Sequence, residues 1–193
     1  MNQVQGKFLV LEEHITYEHF VRVAKQQSWF KQETIEGDRE KEAFQEIWKT
    51  PDLANIISYV DDPLTLTRFI WIRGADIGKP LFEICRRLPA YEPEELLEKA
   101  SEAKTINEGI EAVLRLAVAF PRFDPNVLEI FEKFLDATNA NLRKATIQAM
   151  GYRLWVESIP LLVQVSMADP DEEVREFARR ILNYVVHRNN TDD

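Results

Sequence analysis

Three histidines, one cysteine and a surplus of carboxylates are the side chains here that could do chemistry. His14, His19 and His187 fall at none of the i, i+3 or i, i+4 spacings that put two metal ligands on one helix face. No Cys-x-x-Cys or Glu-x-x-His accompanies them, so the pattern calls for no metal and no cofactor. Cys85 shares a helical spacing with Leu81, Ile84 and Leu88 and reads as a small core residue rather than a nucleophile. Gly74-Ala-Asp-Ile-Gly78 lacks the third Gly and the Lys-Ser or Lys-Thr of a phosphate loop, which leaves a turn. The consecutive carboxylates Glu12-Glu13, Asp61-Asp62 and Glu94-Glu95 would point apart on a helix, and the last two pairs suit helix starts. Nothing here assembles a catalytic set.

Charge is distributed unevenly. From Arg68 to Arg87 five basic residues, Arg68, Arg73, Lys79, Arg86 and Arg87, face two acids, Asp76 and Glu83, in a chain of net charge -9. The following segment, Leu88 to Glu111, holds seven acids against Lys99 and Lys104. If the cations share a face, they form a basic island with an acidic border. Arg68, Trp71, Arg73, Lys79, Arg86 and Arg87 would then hold an anionic ligand or partner through charge-assisted bonds, each worth about 1.5–3 kcal/mol when shielded from water. Alternatively Arg86 and Arg87 pair with Glu94, Glu95 or Glu98 on a neighbouring helix. Trp71 and Trp155, each at an element end, read as exposed anchors or as core caps.

The elements that must position these groups follow from composition and period. A chain of 193 residues with 45% apolar and 30% charged residues suits one compact domain. Its acidity disfavours nucleic acid and an anionic membrane surface, a single cysteine fits a reducing cytoplasm, and the apolar run Phe8 to Leu11 is too short for a signal segment. That run is a strand or merely an apolar lead-in. Tyr17, Phe20, Val21 and Ala24 trace a helix face, and Lys31 to Lys41 reads as a loop. Phe44, Ile47 and Trp48, then Leu53, Ile56, Ile57 and Val60, then Leu81 to Leu88, suggest further helices. Leu64 to Ile72 is ambiguous between helix and strand, with helix favoured. Glu94 to Ala103 is an acidic helix, and Thr105-Ile-Asn-Glu108 is a capping box. Thr50-Pro51, Asp62-Pro63, Glu92-Pro93, Asp124-Pro125 and Asp169-Pro170 read as helix starts.

Beyond residue 105 a repeat of 32 positions emerges. Ile110, Val113, Leu114, Ala117 and Val118 correspond to Leu142, Ala145, Thr146, Ala149 and Met150, and again to Val174, Phe177, Ala178, Ile181 and Leu182. A unit this short must stack on its neighbours to bury its apolar face. Asp-Pro-Asp-Glu-Glu-Val-Arg-Glu-Phe-Ala at 169 to 178 resembles the first-helix signature of HEAT repeats. The resemblance is good over the last third of the chain, weaker in the middle and slight in the N-terminal third. It implies an all-α, right-handed α-solenoid of stacked antiparallel hairpins, about nine to eleven helices in all. Residues 1–186 would form one domain, with its best repeats at 105–186, and 187–193 a mobile tail. In that family the repeat arginine commonly pairs with an acid at the inter-repeat turn. The resemblance therefore implies a structural ladder of Arg143 and Arg175 with Asp136, Asp169 or Asp171.

The function expected is a noncatalytic scaffold or adaptor that binds a protein partner on a concave face, with self-association left open. The alternative is a lyase- or chaperone-type subunit that grips a bilin or similar anionic chromophore with the basic island and stacks tryptophans on its rings. HEAT-like DNA glycosylases need a basic groove that this composition disfavours.

Overall fold

The computed structural model describes residues 5–38 and 40–189 and divides the chain into two compact units, Met1–Glu92 and Pro93–Asp193. Strands in the first overturn the all-α solenoid. It runs β1 (Gln5–Leu11), α1 (Tyr17–Gln26), β2 (Phe30–Ile35), β3 (Phe44–Lys49), β4 (Asn55–Asp62), β5 (Thr67–Gly74), α2 (Gly78–Cys85) and β6 (Ala90–Tyr91). The six strands form one sheet in the order β2-β3-β4-β5-β1-β6, every neighbouring pair antiparallel.

The register explains which side chains form the core. Tyr59 lies opposite Ile70 and Ile57 opposite Ile72, while Leu9 faces Ile70 from the other side. With Leu11 and Trp48 they bury one sheet face against Phe20, Val23 and Ala24 of α1 and against Ile84 and Leu88 at α2. Alternation puts these residues on one side because successive strand residues point to opposite faces. Phe20 is fully buried among Tyr59, Trp48 and Trp29, ring centres 5.4, 6.1 and 6.4 Å away.

Several expectations are thereby corrected. Phe44, Ile47 and Trp48 belong to β3, the set from Leu53 to Val60 bends into β4, and β5 occupies most of Leu64 to Ile72. In β4 residues of both parities are buried, so the two-residue period that marks a half-buried strand is missing. The supposed loop after Lys31 begins as β2, an edge strand exposed along almost its whole length, with its register shifted between Lys31 and Glu33. Cys85 is exposed although Ile84 and Leu88 are buried.

The second unit is helical: α3 (Pro93–Glu102), α4 (Ile106–Ala119), α5 (Pro125–Leu135), α6 (Ala140–Arg153), a 3-10 turn at Val156–Ser158, α7 (Ile159–Ala168) and α8 (Glu172–Asn189). Eight α-helices thus occur among the described residues, and the first three positions of the expected tail are the last turn of α8. Residues 190–193 lie outside the described residues. Four of these helix starts, those of α4, α5, α6 and α8, are marked by side-chain caps. The Thr105 hydroxyl accepts from the Glu108 amide while the Glu108 carboxylate accepts from the Thr105 amide. Asp124 caps α5 ahead of Pro125, Asn139 caps α6, and the Asp171 carboxylate receives the Glu173 and Val174 amides.

Packing between α4 and α6, and between α6 and α8, depends on glycine. A Cβ on Gly151 would meet Ile181 Cγ2 at 2.7 Å, and one on Gly109 would meet Leu142 Cδ1 at 3.1 Å. Cγ2 is attached directly to the Ile181 Cβ and moves only if χ1 leaves the rotamer that a β-branched residue strongly prefers in a helix. Gly151→Ala is therefore expected to destabilise by about 1–3 kcal/mol through overpacking, despite a helix-propensity gain of about 1 kcal/mol. In an Ile181→Ala background the same substitution should become stabilising, and chemical denaturation of the four proteins reads this change of sign.

Candidate functional site

The basic residues of 68–87 are dispersed. Arg68 and Arg73 are an odd number of positions apart on β5 and leave it on opposite faces. Arg68 donates to the Ile15 and Glu13 carbonyls at 2.7 and 2.8 Å. Arg73 lies 3.6 Å over the Trp71 ring and donates to Ser58 Oγ at 3.2 Å, and burial lowers the pKa of its guanidinium. Trp71 in turn stacks on Phe8, ring centres 5.2 Å apart. Just past the C-terminus of α2, Arg87 pairs back to Glu83 and Arg86 lies over Phe82, while Lys79 in the first turn is exposed. The structure thus brings Trp71 and Arg73 together and holds Arg68 elsewhere. Asp76 turns the Gly74–Gly78 segment by accepting the Gly78 amide at 3.2 Å. Trp155 is buried, stacked on Phe131 and edge-on to Phe123.

One carboxylate of the sheet escaped the sequence reading. Glu46 is 2% exposed and accepts from Trp48 Nε1 at 2.9 Å, Lys31 Nζ at 3.2 Å and Thr34 Oγ1 at 3.4 Å. Burial first, and then a hydrogen bond to Glu46, raise the pKa of the Tyr17 phenol above its ordinary range. Reading β3 as a helix hid it, since only strand alternation places Glu46 between Phe44 and Trp48 on the core face.

The helical unit holds the larger constellation. Arg143 is 5% exposed on α6 and meets Asp169, the C-cap of α7, through two parallel bonds: Nε to Oδ2 at 2.7 Å and Nη2 to Oδ1 at 2.8 Å. Its Nη1 donates to the Ala137 and Thr138 carbonyls at 2.8 and 3.0 Å. Arg175 donates to the Asp169 carbonyl and pairs with Glu172. Asp171 donates its amide to Asp169 Oδ1, and Asp136 is the exposed C-cap of α5. Burial would raise the Asp169 pKa, but the Arg143 guanidinium, the Asp171 amide and the nearby Arg175 outweigh it and hold the carboxyl below its ordinary value. The same pairing raises the Arg143 pKa.

Above this pair opens a groove of about 740 Å³. Leu135, Leu161 and Val165 supply apolar lining, Gln164 a neutral polar group, and Glu132 and Asp136 a rim of carboxylates. Nothing in the sequence marked Glu132 or Gln164. Among the described residues no group of three or more His, Cys, Asp or Glu is placed to hold a metal ion, and no helix is long and apolar enough to cross a membrane.

Compared with known proteins, the chain matches no family model, no curated protein and no solved structure. The absence of a family match, together with the six-stranded sheet, overturns the HEAT-repeat resemblance at 169–178. That segment has a local physical account instead: Asp169 and Asp171 serve the turn into α8, Val174 and Ala178 are fully buried, and Arg175 ties the helix back to the turn.

Proposed function

We propose that this is a noncatalytic interaction protein whose helical unit docks a protein partner in the groove between α5 and α7. The observation that carries the reading is the composition of that groove. It offers apolar side chains and carboxylates without an ion-pair partner among the described residues, beside a buried ion pair whose donors are already spent on Asp169 and two carbonyls. A groove of this kind provides area and rim polarity for docking and no nucleophile beside a base. An anionic chromophore finds less support, since Arg68, Arg73 and Arg87 are each engaged within the protein. The lone thiol, Cys85, suits a reducing compartment such as the cytoplasm.

A photo-crosslinking residue at Gln164, in the groove, is compared with one at Glu98, exposed on α3. In native lysate the Gln164 position should give one adduct that unlabelled protein competes away, with none at Glu98. The same adducts from both positions, or none at all, would remove the reading.

A further inference from the structure

The two helices that border the groove end in the same way and are neutralised differently. Asp169 is the C-cap of α7 and Asp136 the C-cap of α5. A carboxylate at a helix C-terminus stands against the negative end of the macrodipole, which weakens the helix unless a cation is near. Asp169 has that cation in Arg143. Asp136 makes no ion pair among the described residues, Arg143 being turned to the Ala137 and Thr138 carbonyls beside it, and neither does Glu132, one turn earlier on α5. The basic residue in the last turn of α5, Lys133, is spent on the Ser101 carbonyl at 2.9 Å, and the last turn of α7 carries no basic residue. Two helix C-termini and two unmatched carboxylates therefore face a groove lined by Leu135 and Leu161.

Building on the docking reading above, we infer that the groove selects a partner segment presenting lysine or arginine beside an aliphatic side chain. The incoming cation takes at Asp136 the place that Arg143 takes at Asp169. The aliphatic neighbour covers Leu135 and Leu161 and excludes water, which strengthens the charge contact. Like-charged segments are rejected by the same rim.

The test uses the full chain and three fluorescent peptides with one apolar pattern, repeats of Leu-Lys-Lys-Leu, Leu-Gln-Gln-Leu and Leu-Glu-Glu-Leu, followed by anisotropy at physiological ionic strength. The lysine peptide should bind at least about tenfold more tightly than the glutamine peptide, and the glutamate peptide should not bind. Asp136→Asn should weaken the lysine peptide by about tenfold while leaving the protein as stable as before or slightly more so, because an acid is removed from a helix C-terminus. A merely structural Asp136 would lose stability instead. Control reversals Glu94→Lys and Glu95→Lys, exposed on α3, should leave binding within about twofold.

Equal binding of the lysine and glutamine peptides, or equal loss from the α3 controls, overturns charge selection. If the Gln164 adduct forms yet no peptide binds, the partner chemistry is wrong and the docking reading stands. Absence of both ends both. A change in the protein's own sedimenting mass on Asp136→Lys would assign the groove to a second copy and also overturn the inference.

Discussion

Replacing Asp169 by alanine is expected to lower the unfolding free energy by about 3–5 kcal/mol, the usual cost of stranding one member of a buried ion pair. The side chains of Arg143 and Asp169 are only 6% and 3% exposed, so the remaining guanidinium would regain little of its hydration. The Ala137 and Thr138 carbonyls retain two of its bonds, which sets the loss toward the lower part of that range. Arg143→Lys keeps the charge but loses the two-pronged geometry, and should cost less than Asp169→Ala. Arg143→Met with Asp169→Leu should recover most of the loss, because two charges no longer need burying.

The same pair sets a pH dependence whose sign follows from Asp169. Its folded pKa is depressed, so its contribution is complete above the unfolded value of about 4 and is lost as pH falls through the folded value. The wild type should therefore lose stability steeply below about pH 4, and Asp169→Asn should be weaker at neutral pH with a shallower acid limb. Urea unfolding at a series of pH values separates the two curves. Parallel acid limbs would show that other carboxylates dominate.

What could be read from the residues depended on whether local signals agreed. In the helical unit a 3.6-residue period coincided with caps: Thr105 with Glu108, Asp124 before Pro125, Asn139, Asp171. Such agreement makes a boundary visible without knowledge of the tertiary structure. In the sheet unit the signals conflicted. The turns at the two ends of β4 use Leu53 at φ 59° and Leu66 at φ 51°, positions where glycine or asparagine would have advertised a turn. Thr50-Pro51 and Asp62-Pro63 then imitated helix starts, and Leu53, Ile56, Ile57 and Val60 matched a helix face by chance of spacing. β-branched and aromatic enrichment in Thr67–Gly74 was the signal that should have prevailed over period. The site was legible only in part. Arg143 and Asp169 could be named, but a groove bordered by the ends of α5 and α7 exists only once the fold has brought two helices distant in sequence near each other.

Phe20→Ala tests the sheet unit as sharply as Asp169→Ala tests the helical one. Phe20 is completely buried, and Tyr59 and Trp48 on two strands hold its ring from the side opposite α1. Neither neighbour can move into the vacated space easily. Tyr59 is 1% exposed, and the Trp48 indole is tied to Glu46. A cavity that cannot collapse puts the cost at about 3–5 kcal/mol. Phe30→Ala makes the identical chemical change on β2, where the ring is 54% exposed, and should cost no more than about 0.5 kcal/mol. The contrast is informative because residue type and helix or strand propensity cannot produce it; only α1 lying on the face that carries Ile57, Tyr59, Ile70 and Ile72 can. Hydrogen exchange should locate the effect, with Phe20→Ala accelerating the amides of β4 and β5 and Phe30→Ala leaving them unchanged. Equal costs at the two positions would mean that α1 does not seal the sheet through Phe20, and the core assignment would have to be redrawn around Trp29 and Trp48.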